Sequence, residues 1–228
     1  MRKICLISTC AAALLAAMPI AAKADFVVSS PVLPPQGGEY AAQQVLQFDT
    51  TPIVYIFGGL HSNFINVHTD FTTSPGNELE TFDSSFTGYM SIGSATGPFV
   101  PVHMTGPVAV TVLGRTSNTE TGTFATVMTS LDMNGILGAD TVEVILDPAE
   151  TSTGQTTITP LAGGLYDISS YFFLHPELSL DGGPFVPLSN GQAPGGTAEY
   201  KLIPEPASLG LLGTALSVIT LLRRRRRA

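Results

Sequence analysis

Apolar and polar residues alternate with a period of two along much of this chain, the spacing that gives a β-strand one inward and one outward face. In Val108-Ala109-Val110-Thr111-Val112 the three valines share a face. In Val142-Glu143-Val144-Ile145-Leu146-Asp147, Val142, Val144 and Leu146 oppose Glu143 and Asp147, and further on Tyr200 and Leu202 oppose Glu199 and Lys201. Ile53 to Phe57 is continuously apolar and reads as a central strand buried on both faces. Strands are also predicted over 64–71, 79–90, 122–131, 156–159 and 165–180. Turn signals separate them: Ser74-Pro75-Gly76-Asn77, Asn134-Gly135, Asp181-Gly182-Gly183 and Pro194-Gly195-Gly196. From Glu39 to Phe48 the pattern fits helix and strand equally, since Tyr40, Gln44, Val45 and Phe48 would share one side of a helix. Residues 29–38, with Pro31, Pro34, Pro35, Gly37 and Gly38, read as a loop.

About ten short strands with Gly/Pro turns predict an all-β body, an antiparallel β-sandwich of jelly-roll or Ig-like type. It forms one extracytoplasmic domain over 25–203, flanked by an N-terminal signal helix and a C-terminal hydrophobic helix. Gly97-Pro98-Phe99-Val100-Pro101 recurs as Gly183-Pro184-Phe185-Val186-Pro187. Two copies make no repeat array and fit edge-strand usage.

The ends carry a different code. Arg2 and Lys3 precede an apolar stretch from Ile4 to Ile20, and Ala22-Lys23-Ala24 supplies the small residues a signal peptidase reads. Residues 1–24 are therefore predicted to be a signal peptide cleaved between Ala24 and Asp25. Both cysteines, Cys5 and Cys10, lie in that segment, so the mature chain would fold without a disulfide. At the other end, Ala207 to Leu222 carries no charge and is followed by Arg223, Arg224, Arg225, Arg226 and Arg227. Sixteen residues of helix span roughly 24 Å, short of a full hydrocarbon core. The arginines hold their side of this short transmembrane segment in the cytoplasm.

The order Pro204-Glu205-Pro206, Ala207-Ser208, a short Leu/Gly-rich apolar stretch and a terminal arginine cluster resembles the PEP-CTERM sorting signal. The same tail has been described as the C-terminal domain of ice-binding proteins. The resemblance covers about the last 25 residues, departing from the pattern in Ile203, where Val is common, and in a polar-tinged helix. It implies recognition by an exosortase-like membrane enzyme in a Gram-negative bacterium that makes exopolysaccharide. It also implies transient membrane anchoring, followed by delivery to the cell surface or extracellular matrix. A permanent anchor for a periplasmic domain is the competing reading of the tail.

Charge sharpens this division. The chain carries 18 acidic and 10 basic residues, yet 25–203 holds only Arg115 and Lys201 against 17 carboxylates, a net −15. Phosphate would repel such a body, which excludes a nucleic-acid binder. No catalytic constellation emerges. Gly88-Tyr89-Met90-Ser91-Ile92-Gly93 misses the nucleophile-elbow spacing, and none of His61, His68, His103 and His175 forms a zinc-type pair. His68 and Asp70 share a strand face but supply too few ligands for a metal. Asp132, Asn134, Gly138, Asp140 and Glu143 follow an EF-hand count until Ile136 and Leu137 break it, leaving Asp132, Asn134 and Asp140 as a looser loop cluster. The expectation is a non-enzymatic, cofactor-free surface or matrix structural protein, with diffuse Ca²⁺ binding and exopolysaccharide as partners in keeping with its acidity. The alternative is a carbohydrate- or other ligand-binding exoprotein, or a hydrolase, built on scattered carboxylates.

Overall fold

The computed structural model describes residues 26–189 and 195–203, and these contain strands and turns but no helix. Thirteen strand segments follow in order: β1 (Phe26–Val28), β2 (Glu39–Ala42), β3 (Leu46–Phe48), β4 (Val54–Asp70), β5 (Asn77–Ile92), β6 (Val100–Leu113), β7 (Gly122–Leu137), β8 (Asp140–Leu146), β9 (Ser152–Leu161), β10 (Leu165–Leu174), β11 (Pro176–Leu180), β12 (Val186–Pro187) and β13 (Ala198–Ile203). All pairings between them are antiparallel.

The wall is a closed eight-stranded barrel, and the expected β-sandwich is thereby corrected. Pairing runs from β2 through β4, β5, β6, β7, β9, β10 and β13, then returns to β2 through Tyr200↔Ala42 and Ile203↔Glu39. The four long strands β4–β7 extend past this ring. There β8 continues the row of β9, β11 that of β10, and β3 that of β2. The bridge Phe48↔Leu188 and the bond from Ser189 N to Gln47 O (2.9 Å) join the last row to the first at that far end.

Alternation and turn spacing look the same in a sandwich and a meander barrel. Closure is decided by how strongly the sheet coils. β4 supplies much of that coiling, with register shifts after Phe57, Ser62 and Ile65 and left-handed backbone at Gly58, Asn63 and Asn66. The asparagines reach across to the partner strand, Asn66 Nδ2 donating to Asp83 Oδ2 at 2.6 Å.

Other expectations change with the fold. Residues 39–48 form no helix but two short strands, β2 and β3, joined by a bend at 43–45, with Tyr40, Leu46 and Phe48 turned inward. Ile53 to Phe57 is not buried on both faces: Val54 and Ile56 are inside, Ile53 is exposed, and Tyr55 and Phe57 are only half-buried. Asn134-Gly135 makes no turn but lies within β7, and the chain reverses at 138–139 instead. The predicted strand 165–180 breaks at His175 into β10 and β11. The two Gly-Pro-Phe-Val-Pro copies both enter strands at the far end, with Phe99 and Phe185 exposed. The signal segment, with Ala24 and Asp25, and the tail, with Pro204, Glu205, Pro206, Ala207, Leu222 and Arg223 to Arg227, lie outside the described residues.

Eight strands enclose a bore that side chains can fill or that can hold one small ligand. Here the far half is packed solid by Phe48, Val54, Ile56, Met90, Val102, Met104, Met133, Leu178 and Leu188, all at most 2% exposed. The other half is different, and residues 29–38 close it.

Candidate functional site

On β5, every second residue from Glu78 to Phe86 faces the bore: Glu78, Glu80, Phe82, Ser84 and Phe86. Two acids at consecutive inward positions are costly to bury unless paired. Glu78 is paired. Arg115, fully buried in the β6–β7 connection, donates from Nη1 to Glu78 Oε2. Its Nη2 donates to Pro31 O at 2.7 Å and to Asn118 O at 3.0 Å, and its Nε to Glu120 O at 3.3 Å. One guanidinium thus ties the barrel wall, the 114–121 connection and the 29–38 segment together. That segment, expected to be a simple loop, is a strap over the barrel end. Pro31, Leu33 and Pro35 are buried, and Gly38 N closes a turn on Pro35 O at 2.9 Å.

Glu80 has no such cation. It is 1% exposed, its Oε1 accepts from Thr69 Oγ1 at 3.3 Å, and its Oε2, like Glu78 Oε1, meets no N–H or hydroxyl donor, the neighbouring Glu78 carboxyl being its other hydrogen-bonding partner. Burial, reinforced by the adjacent Glu78 carboxylate, pushes its carboxyl up to about 10, so it is neutral at physiological pH. The side chain lines a cavity of ≈ 50 Å³ beneath the strap. The walls are Val108, Val110, Val112, Phe82, Met128 and Phe172, with Leu33 and Pro34 of the strap on top.

The remaining polar groups of the chamber form a partly satisfied chain. Thr156 Oγ1 and Ser170 Oγ lie 2.8 Å apart. Ser170 bonds the Tyr40 hydroxyl, which burial pushes up to about 12. Thr126 Oγ1 lines the same cavity, is buried and has no partner. Below them His61 forms a floor. Its Nδ1 lies 3.1 Å from Ser84 Oγ, and the rings of Phe86 and Tyr200 meet it edge-on at 5.0 and 5.2 Å. Burial lowers the imidazole to about 4, so it too is neutral.

The groups weighed from sequence are not brought together. Asp70 is consumed by its own turn: Oδ1 accepts from Thr72 N and Thr72 Oγ1, both at 2.6 Å, and Oδ2 accepts from Thr73 Oγ1. These bonds hold it well below the usual carboxylate range. Asp132 Oδ1 accepts from Asn134 Nδ2 at 2.6 Å on β7, while Asp140 opens β8 after a tight turn, so no calcium loop forms. Among the described residues no three His, Cys, Asp or Glu side chains group as a metal site. Ser91 lies on β5 and donates to Ser94 O at 2.6 Å. Sequence reasoning missed Glu78, Glu80 and Arg115. One signal was available: Glu78-Leu79-Glu80-Thr81-Phe82 alternates with its acids in phase with Phe82 and Phe86, the inward set. Compared with known proteins, the chain matches no family model, no curated protein and no solved structure.

Proposed function

We propose that this chain is an exported, non-enzymatic β-barrel protein of the cell surface or extracellular matrix of a Gram-negative bacterium. Residues 1–24 direct export and are removed by signal peptidase. Residues 204–228 act as a PEP-CTERM-type signal that holds the chain in the membrane until an exosortase-like enzyme processes it. Exopolysaccharide is the partner this destination offers the acidic body. The observation that carries the reading is the order of segments in the sequence: Arg2 and Lys3, an apolar stretch and Ala22-Lys23-Ala24 at one end, and Pro204-Glu205-Pro206, an apolar stretch and five arginines at the other.

Mass spectrometry of protein recovered from the cell surface tests this. The expected species begins at Asp25 and lacks the arginine tail. A surface species that retains residues 204–228 overturns the sorting role. The ligand-binding reading is favoured by a separate observation, an apolar cavity inside the barrel lined by the Glu80 carboxyl and by Thr126, whose hydroxyl has no partner.

A further inference from the structure

We propose that the chamber beneath the strap is a binding site for a small neutral molecule with a short aliphatic body and one carbonyl, hydroxyl or amide group. That group would sit on Glu80 and Thr126, and Leu33 of the strap would be the door. The inference stands apart from the export reading and does not depend on it.

Two residues that line one cavity carry buried polar atoms met by no N–H or hydroxyl donor: Thr126 Oγ1 has no partner, and Glu80 Oε2 has at most the neighbouring Glu78 carboxyl. Leaving such atoms unpaired is costly, and native interiors keep few of them. A polar group placed in the cavity would give Thr126 its missing partner and offer Glu80 an alternative to Glu78. A protonated carboxyl can donate to a carbonyl or accept from an amide N–H, and a threonine hydroxyl can do either. The walls around them are apolar, so the remainder of the guest must be apolar as well.

Charge selects against ions of both signs. The Arg115–Glu78 pair is neutral overall, so an ion entering the apolar chamber would lose its hydration without gaining a free counter-charge. The other titratable side chains facing the chamber, His61, Tyr40 and Tyr200, add no charge at neutral pH, His61 being lowered and both tyrosines raised by burial. Size follows from the cavity. A volume of ≈ 50 Å³, at about 10–15 Å³ per water, holds roughly three to five waters, or a molecule of comparably few heavy atoms. Entry is constrained by the closed wall and the packed far half. The strap end remains, where Leu33 lies over the cavity and Arg115 holds Pro31 O.

The test uses the mature chain, residues 25–203, or the full chain in detergent. Methyl NMR titrations are run with butan-2-one and propionamide as neutral probes, and with propylammonium and propionate as charged controls. Thermal unfolding verifies that each variant is folded. The neutral probes are expected to shift the Val110, Val112 and Met128 methyl signals saturably, and the charged ones not. Glu80→Leu should weaken binding by about tenfold or more, whereas Glu80→Gln, which keeps a neutral polar group, should stay within about threefold. Leu33→Ala leaves Glu80 in place and should admit ketones one or two carbons longer. The proposal is overturned if neutral probes produce no saturable shift in the folded protein. Equal binding of the charged probes, or wild-type affinity in folded Glu80→Leu, would overturn it too.

Discussion

Glu78 and Glu80 enter the barrel from adjacent inward positions of one strand, yet Arg115 neutralises only Glu78. Glu80 is left to bury its carboxyl as the neutral acid, beside an apolar cavity and against the Glu78 carboxyl, with no cation of its own. The two acids therefore contribute to stability in opposite ways.

Glu78 and Arg115 act as a latch. Removing one partner strands a buried charge, so Arg115→Met or Glu78→Leu alone should cost about 3–5 kcal/mol. The double variant should recover much of that loss, because both desolvation penalties vanish together. Urea unfolding of the two singles and the double gives the coupling directly. Additive losses would mean that the pair is not coupled.

Glu80 should make the protein less stable as pH rises. Its folded-state pKa, about 10, lies above the ordinary value of 4.5, so between these limits the folded state holds a proton that the unfolded chain releases. Its contribution is complete below about pH 4.5 and declines towards pH 10, with a slope of at most about 1.4 kcal/mol per unit. Glu80→Gln should remove that slope and stabilise the protein most at alkaline pH. Unfolding free energies at pH 6 and pH 9, compared between wild type and variant, measure it.

His61 works in the opposite direction. Its imidazole, lowered to about 4 against an ordinary 6.5, stays neutral in the fold while the unfolded chain takes up a proton. Stability should therefore fall as pH drops from about 6.5 to 4, by no more than about 3 kcal/mol. Nitrogen-detected NMR should find the ring neutral at pH 5. In His61→Gln, which can still meet Ser84, the acid-side loss should shrink.

Barrel closure should be indifferent to the address segments but not to the last strand. A chain of residues 25–203 is expected to unfold in one cooperative transition. Stopping at 198 removes Glu199 to Ile203, which pair with β2 and with β10. That chain should lose its cooperative thermal transition. Circular dichroism melts of the two truncations decide the point.

Much of the wall was legible from residues alone. The valines of 108–112 face inward as their spacing predicts, and so do Val142 and Val144 against Glu143. Residues 39–48 were ambiguous because ten residues with apolar positions at both spacings carry no local preference. The pairing of Tyr200 with Ala42 and of Leu46 with Ile56 settles the two ends of this segment as strands. The reading of 53–57 as doubly buried failed because Tyr55 and Phe57, two of its five apolar residues, belong to an outer aromatic cluster, with Phe57 and Phe99 at 5.0 Å. The site was the least legible part. Glu78 and Arg115 are 37 residues apart, and Arg115 meets Pro31 across 84, distances over which sequence pattern carries no information.

By itself the sequence determined the β-strand periodicity and the concentration of positive charge at the two ends, because alternation and composition are local properties of the chain. Tertiary structure alone decided that the last row returns to the first to make a barrel. That closure depends on the coiling that the bulges of β4 impose on the sheet. It is also what turns two outwardly ordinary glutamates into interior groups, one held by the only arginine of the body and one left open to a guest.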